Sequence, residues 1–444
     1  MKPIETKINL RILCFFMVTF CMIASITFYG CGSSSSSSGV PAGSGTISKV
    51  LTAEGLSTLN GNAMAIQSDG RILVVGSREI NGDSSFLLAR YQSGGSLDSS
   101  FGIQGIVFTP IGGKDSANAV VIQPDEKIIV AGSAWNGSNN RIALARYTAN
   151  GILDRSFGTG GIIVAPGVDG VDDVAYAVTL QADRKIVAAG YSRSADGISS
   201  FTLARFTADG QLDPAFGRSG RVTTAVAASP VEDVAYAVRI QTDGRIVVAG
   251  RSYDEKYKVT LVRYDETGAV DPSFGVGGIV LTEAGADSSG AFALAISDSG
   301  SIFAGGYAND GEIDTFALLK YTTNGNRDAE YGNNGIVMTD YAGQGAVAYA
   351  ILLRADGKIM LAGYNDNYEL DSETPEGLDF ALARYNVNGT PDTSFAEGGK
   401  IAFPIGDNVA YANAIGVHQT GSIILSGCAT ERGQTKIALL RYSP

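Results

Sequence analysis

A tag of the form Leu-x-Arg-Tyr returns seven times along the 444-residue chain, at Arg90-Tyr91, Arg146-Tyr147, Arg205-Phe206, Arg263-Tyr264, Lys320-Tyr321, Arg384-Tyr385 and Arg441-Tyr442. Successive copies are 56, 59, 58, 57, 64 and 57 residues apart. A period of this length marks a repeat architecture, in which each unit buries its apolar face against the next. Each unit reads as four short strands. Ala175–Leu180 typifies the first and Ile246–Gly250 the second, with a tight turn such as Thr242-Asp243-Gly244 between them. Phe201–Phe206 typifies the third. A longer loop, Gly-x-Leu-Asp-x-Ser-Phe-Gly, leads to a fourth such as Gly278–Thr282. β-branched runs bounded by Asp-Gly and Gly-rich turns are strand and hairpin signals, and 57 glycines supply the turns. After the first forty-odd residues no stretch keeps a helical period.

Strands one to three occur seven times, but the long loop occurs only six times, starting at Gly95, Gly151, Gly210, Gly268, Gly325 and Gly389. An unattached strand-like piece, residues 46–51, precedes the first unit. A ring explains both facts: the N-terminal strand supplies the fourth strand of the last unit, and closure removes the exposed edges of an open array. The expected fold is therefore all-β, a seven-bladed β-propeller of four-stranded antiparallel blades, with its seam between residues 46–51 and 436–442. An open β-solenoid is the alternative, and it would need capping ends.

The first strand carries Ala at one position in every copy, and two residues earlier every copy is Ala or Gly. Strict alternation puts these small residues on one face and groups such as Tyr176, Val178 and Leu180 on the other. The second strand ends in Gly in every copy, which suits a close backbone approach. Arg90 precedes Asp98 by eight residues, and the offset recurs through Arg384 and Asp392, with Lys320 and Asp328 as one variant. This predicts an ion pair tying the third strand to the long loop, with Phe101 and its counterparts plugging the gap beneath.

Together the Arg-Tyr, Leu-Asp-x-Ser-Phe-Gly and Asp-Gly-Lys-Ile tags resemble the delta-60 repeat family of bacterial exported proteins, over about residues 46 to 444. The resemblance implies a β-propeller-like repeat domain and no defined activity. Departures are Glu126 and Arg184 in place of the turn Gly, Lys320 for Arg and Tyr331 for Phe.

The N-terminus reads as an address. Lys2, Lys7 and Arg11 precede an uncharged apolar run over residues 12–29, followed by Gly30-Cys31-Gly32 and a serine run. This pattern resembles a bacterial lipoprotein signal with Cys31 as the lipidation site. Phe28 and Tyr29 depart from the usual lipobox, and the alternative is an uncleaved anchor. Three regions follow: a signal peptide over 1–30, a Ser/Gly-rich tether over 31–45 and the propeller over 46–444. Export and lipid anchoring in the cell envelope, at the outer membrane, are expected. Cys428 then has no disulfide partner.

The formal charge is −12, with a single histidine, His418. Nucleic acid is a poor partner for such a chain. His418 aligns with turn glutamines, so catalysis that depends on histidine is disfavoured. Loops joining strands two and three share one face with the loops entering strand one. That face varies among copies, and variation on a rigid scaffold is where binding lives. Its candidate ligand-binding residues are Trp135, Tyr191, Tyr253, Tyr307, Tyr364, Asp173 and Asp233. No cofactor is implied, although the acidic insertion over 365–379 makes Ca²⁺ a candidate. The expected function is a non-catalytic, membrane-tethered extracytoplasmic scaffold that binds a protein or a polysaccharide. A polysaccharide hydrolase or lyase using paired carboxylates is the alternative. A purely structural envelope role is a third.

Overall fold

The computed structural model describes residues 46–51, 58–227, 231–366 and 377–443. Its 28 strands form seven four-stranded antiparallel sheets, and no helix occurs among the described residues. Blade one begins at Leu59 and blade seven at Ala410. The innermost strands are Leu59–Ile66, Ser116–Ile122, Asp172–Leu180, Asp233–Ile240, Ser289–Ile296, Ala346–Leu353 and Ala410–Val417. Each touches its counterpart in both neighbouring blades, including blade seven against blade one. The ring is therefore closed around an axis. Thr46–Leu51 completes blade seven by pairing with the last strand, Gln434–Ser443, in the register Ile47 to Tyr442 and Val50 to Leu439. Arg441 also reaches across the seam, donating Nη1–H to the Ser93 carbonyl of blade one at 2.9 Å.

The long loop does more than the expected pairing. Arg90 Nε donates to Asp98 Oδ2 at 2.8 Å, and the same bond recurs at 2.9 Å for Arg146 with Asp154. Arg205 with Asp213, Arg263 with Asp271 and Arg384 with Asp392 repeat it, and Lys320 forms an ion pair with Asp328. Arg90 Nη1 also donates to Ala149 O in the next blade at 2.6 Å, and Arg263 Nη1 to Thr323 O at 2.7 Å. One guanidinium thus ties its own loop and the following blade. Its flat face lies on the plug, 4.4 Å from the Phe101 centroid and 4.7 Å from that of Phe274. These rings are fully buried beneath a glycine of the next blade: a Cβ on Gly151 would sit 2.7 Å from Phe101.

The inner strand departs from strict alternation. Every blade has a β-bulge there, between Gly61 and Ala63, Ala117 and Ala119, Ala175 and Ala177, and so on around the ring. The two small residues therefore lie on opposite faces: Ala175 packs with Val178 in the core between blades two and three, and Ala177 packs in the core between blades three and four. Tyr176 is the extra residue of the bulge rather than a face partner of Val178. The bulge also explains the glycine that ends each second strand. A Cβ on Gly190 would lie 1.9 Å from Val174 O, and the other six glycines face the same carbonyl at 1.7 to 2.0 Å.

Candidate binding site at the mouth of the channel

The bulge places one extra residue per blade on the inner wall near the entry of each inner strand. Around the ring these residues are Asn413, Asn62, Asn118, Tyr176, Tyr236, Phe292 and Tyr349. Blades seven, one and two carry asparagine, and blades three to six carry aromatics. Each Asn amide donates to the next blade: Asn413 Nδ2 to Gly61 O, Asn62 Nδ2 to Ala117 O and Asn118 Nδ2 to Ala175 O, all at 2.9 Å. The aromatic half is joined by ring contacts instead. Tyr176 and Tyr236 centroids are 5.2 Å apart, Tyr236 and Phe292 4.8 Å, and Phe292 and Tyr349 5.2 Å. All four rings keep part of their surface in solvent.

The residue after the second-strand glycine follows the same division. It is Cys428, Ser77 and Ser133 beside the asparagines, and Tyr191, Arg251, Tyr307 and Tyr364 beside the aromatics. Tyr191 lies 5.8 Å from Tyr176, Tyr307 5.8 Å from Phe292, and Tyr364 5.8 Å from Tyr349. Three of the aromatics expected on the variable face thus belong to this arc. Tyr191 and Tyr307 are buried in it as the second layer, and Tyr364 is half-buried.

The other expected residues lie apart from the arc. Trp135 packs on the entry loop of its own blade, its ring 5.4 Å from the Lys114 ammonium. Tyr253 meets Tyr257 edge-on across a hairpin at 5.2 Å. Asp173 and Asp233 are buried and hydrogen-bonded to partners outside the arc. Asp173 accepts from Ser192 Oγ and from Arg221 Nη2 at 2.6 Å, and Asp233 accepts from the Val226 amide at 2.8 Å. Asp115 does the same for Ile111 N–H at 2.7 Å. Asp115 and Asp233 thus fasten entry loops, whereas Asp173 ties the second and fourth strands of its own blade. Entry loops also bond to the ends of the second strands, as Tyr253 N–H does to Glu232 O at 3.0 Å. The expected sharing of one face by entry loops and second-to-third-strand loops is borne out.

Cys31 and residues 367–376 of the acidic insertion lie outside the described residues. Among the described residues no group of three or more His, Cys, Asp or Glu side chains is arranged to hold a metal. His418 sits at a hairpin turn, with its backbone closing the turn and Nδ1 bonded to Thr420 at 3.0 Å. Cys428 is buried and its sulfur accepts from the Gly61 amide at 3.2 Å.

Two guanidinium groups, Arg193 and Arg251, and the carboxylates Asp172, Glu232 and Asp314 act on the phenols of the arc. Glu232 is engaged by Arg251 at 2.7 Å and by Tyr257 Oη at 2.9 Å, and burial pushes the Tyr257 phenol up to about 12. Arg193 stands 5.0 Å over the Tyr191 ring, half-buried, with no ion-pair partner among the described residues. Burial raises the Tyr176, Tyr191 and Tyr236 phenols, and the Arg193 charge acts on each in the opposite direction. That guanidinium therefore acts on the three phenols of blades three and four.

Residues 67–101, 123–157, 181–216, 241–274 and 354–395 match the family model described as "Domain of unknown function (DUF5122) beta-propeller". Each matched segment runs from the turn after the inner strand to the plug of the long loop, in blades one to four and six. Among curated proteins no match was found. Among solved structures, a catalytically inactive virginiamycin B lyase from Staphylococcus aureus with quinupristin is similar, with 13% identity, a TM-score of 0.48, and coverage of 89% of this chain and 99% of that one. A Dyadobacter fermentans protein of unknown function is similar at 11% identity and TM-score 0.45, covering 89% and 99%. A polysaccharide lyase is similar at 12% identity and TM-score 0.45, covering 86% and 90%. In sequence, the chain is thus similar to a β-propeller family over five of its seven repeats.

Proposed function

We propose that this protein is a non-catalytic propeller, held in the cell envelope through a lipid on Cys31, that binds a protein or polysaccharide partner at the loop face around its channel mouth. The observation that carries the reading is the break in symmetry at the bulge. All seven copies keep the same second-strand glycine and six keep the basic–acidic staple, five of them as Arg–Asp, yet four neighbouring blades alone present aromatic rings at the axis. Packing needs satisfied by asparagine in three blades do not call for tyrosine in the others. Partly exposed aromatics beside polar groups are the usual material of a binding surface. Asp115 and Asp233 fasten entry loops and Asp173 is paired with Arg221, which favours binding over carboxylate catalysis.

The test uses the full chain immobilised against a glycan array and against envelope extracts. Tyr349→Ala with Tyr364→Ala should remove binding while leaving the melting curve cooperative; retention of every wild-type ligand by this variant would refute the assigned face. For the anchor, Cys31→Ser should abolish metabolic labelling with a radioactive fatty acid and release the protein from membranes.

A further inference from the structure

We propose that the channel mouth over blades three to six binds a carboxylated saccharide, with Tyr176, Tyr236, Phe292 and Tyr349 stacking on sugar rings and Arg193 and Arg239 receiving carboxylates. This rests on the binding role proposed above and names its ligand.

Beyond the bulge, the seven inner strands contain a single charged residue, Arg239. It lies three positions past Tyr236 on the same strand, about 10 Å along the wall at strand rise. Arg239 is exposed to solvent, yet burial lowers its pKa. A guanidinium that is both wetted and walled in by protein is what an inner-wall position produces. Its one hydrogen bond among the described residues goes from Nη1 to the neighbouring Val238 carbonyl at 2.8 Å, and it has no ion-pair partner there. In a chain of net charge −12, this group and Arg193 have no ion-pair partner among the described residues. Arg193 also keeps a buried Nε without a hydrogen-bond acceptor. An arginine fork matches a carboxylate in geometry and charge.

The aromatic half supplies the rest of the recognition. A pyranose presents a flat C–H face and a rim of hydroxyls, which suits ring faces that carry phenol groups at their edge. A cationic ligand would be repelled by Arg193, whose charge no carboxylate neutralises at ion-pair distance among the described residues. A neutral sugar would leave both unpaired guanidinium groups unanswered. A sugar acid answers the rings and the cations together.

Isothermal titration calorimetry of the full chain with hexagalacturonate and with cellohexaose tests the assignment. Hexagalacturonate should bind at least tenfold more tightly, and binding should weaken as salt is raised. Arg193→Gln and Arg239→Gln should each weaken it about tenfold, with cellohexaose unaffected, and Arg193→Lys should recover part of the loss. Neither arginine lies in a packed core, so folding is retained, and melting curves confirm it. Equal binding of the two oligosaccharides, no binding of hexagalacturonate, or wild-type affinity in both glutamine variants would each overturn the proposal. A partner captured from envelope extracts and lost in Tyr349→Ala with Tyr364→Ala, without uronate binding, would overturn this ligand while leaving the docking face standing.

Discussion

Gly190 holds its place because Val174 O occupies the space a side chain would need. Gly190→Ala should cost about 3 kcal/mol, the upper end of ordinary single substitutions, read from the urea midpoint of unfolding. The reverse case exists at two turns. Glu126 and Arg184 have φ of 63° and 67° where sister blades use glycine. Left-handed backbone costs an L-residue about 1–2 kcal/mol, partly offset by the chain entropy that glycine loses on folding. Arg184→Gly should therefore raise stability, by about 1 kcal/mol or less; a lower melting temperature would contradict this. The recurring ion pair was legible from sequence because an eight-residue offset along one hairpin is a local signal. The fate of Asp173 was not, since its partner Arg221 lies on the far edge of the same blade and nothing in the spacing announces it.

Strands carried most of the information in their composition, but their faces were misread at one point. Alternation is a rule of unbroken strands, and the bulge breaks it once per blade. That single extra residue separates Ala175 from Ala177 and sends Tyr176 to the axis. The signal was present in the invariant glycine opposite, which marks a close backbone approach without saying which strand bends. Ala177 remains confined, now by the core shared with blade four rather than by a shared small face. Ala177→Leu should overpack that core and cost about 1–3 kcal/mol, which thermal melting measures. The aromatic arc escaped sequence reading for a different reason. Its members come from the same position of four units, and the pattern shows only after the bulge has singled that position out.

Acid should act on the ring as a unit. Asp98, Asp154, Asp213, Asp271, Asp328 and Asp392 all have pKa values below the ordinary 3.8. For Asp98, burial works upward, and the Ser100 hydroxyl and amide with Arg90 outweigh it and hold the carboxyl down to about 2. A depressed carboxyl contributes stability that is present above its unfolded pKa and lost as pH falls through the folded one. The staples should therefore weaken between about pH 4 and pH 2, together in every blade that has the loop. Asp115 and Asp233, whose pKa values burial raises, act in the opposite direction. Circular dichroism melts across this range should show a falling midpoint; a flat profile would mean that the staples contribute little. Removal of residues 46–51 should expose the last strand of blade seven as an open edge, and size-exclusion chromatography should then show self-association.

The seam also orders events in time. The strand that seals blade seven is among the first parts of the domain to be synthesised, and its partner is the very last. Until Ser443 has been delivered, Thr46–Leu51 has nothing to hydrogen-bond, and blades one to six must form beside an unfinished neighbour. Circularisation therefore waits for Gln434–Ser443, and a chain stalled before that strand would be left as an arc with an open edge.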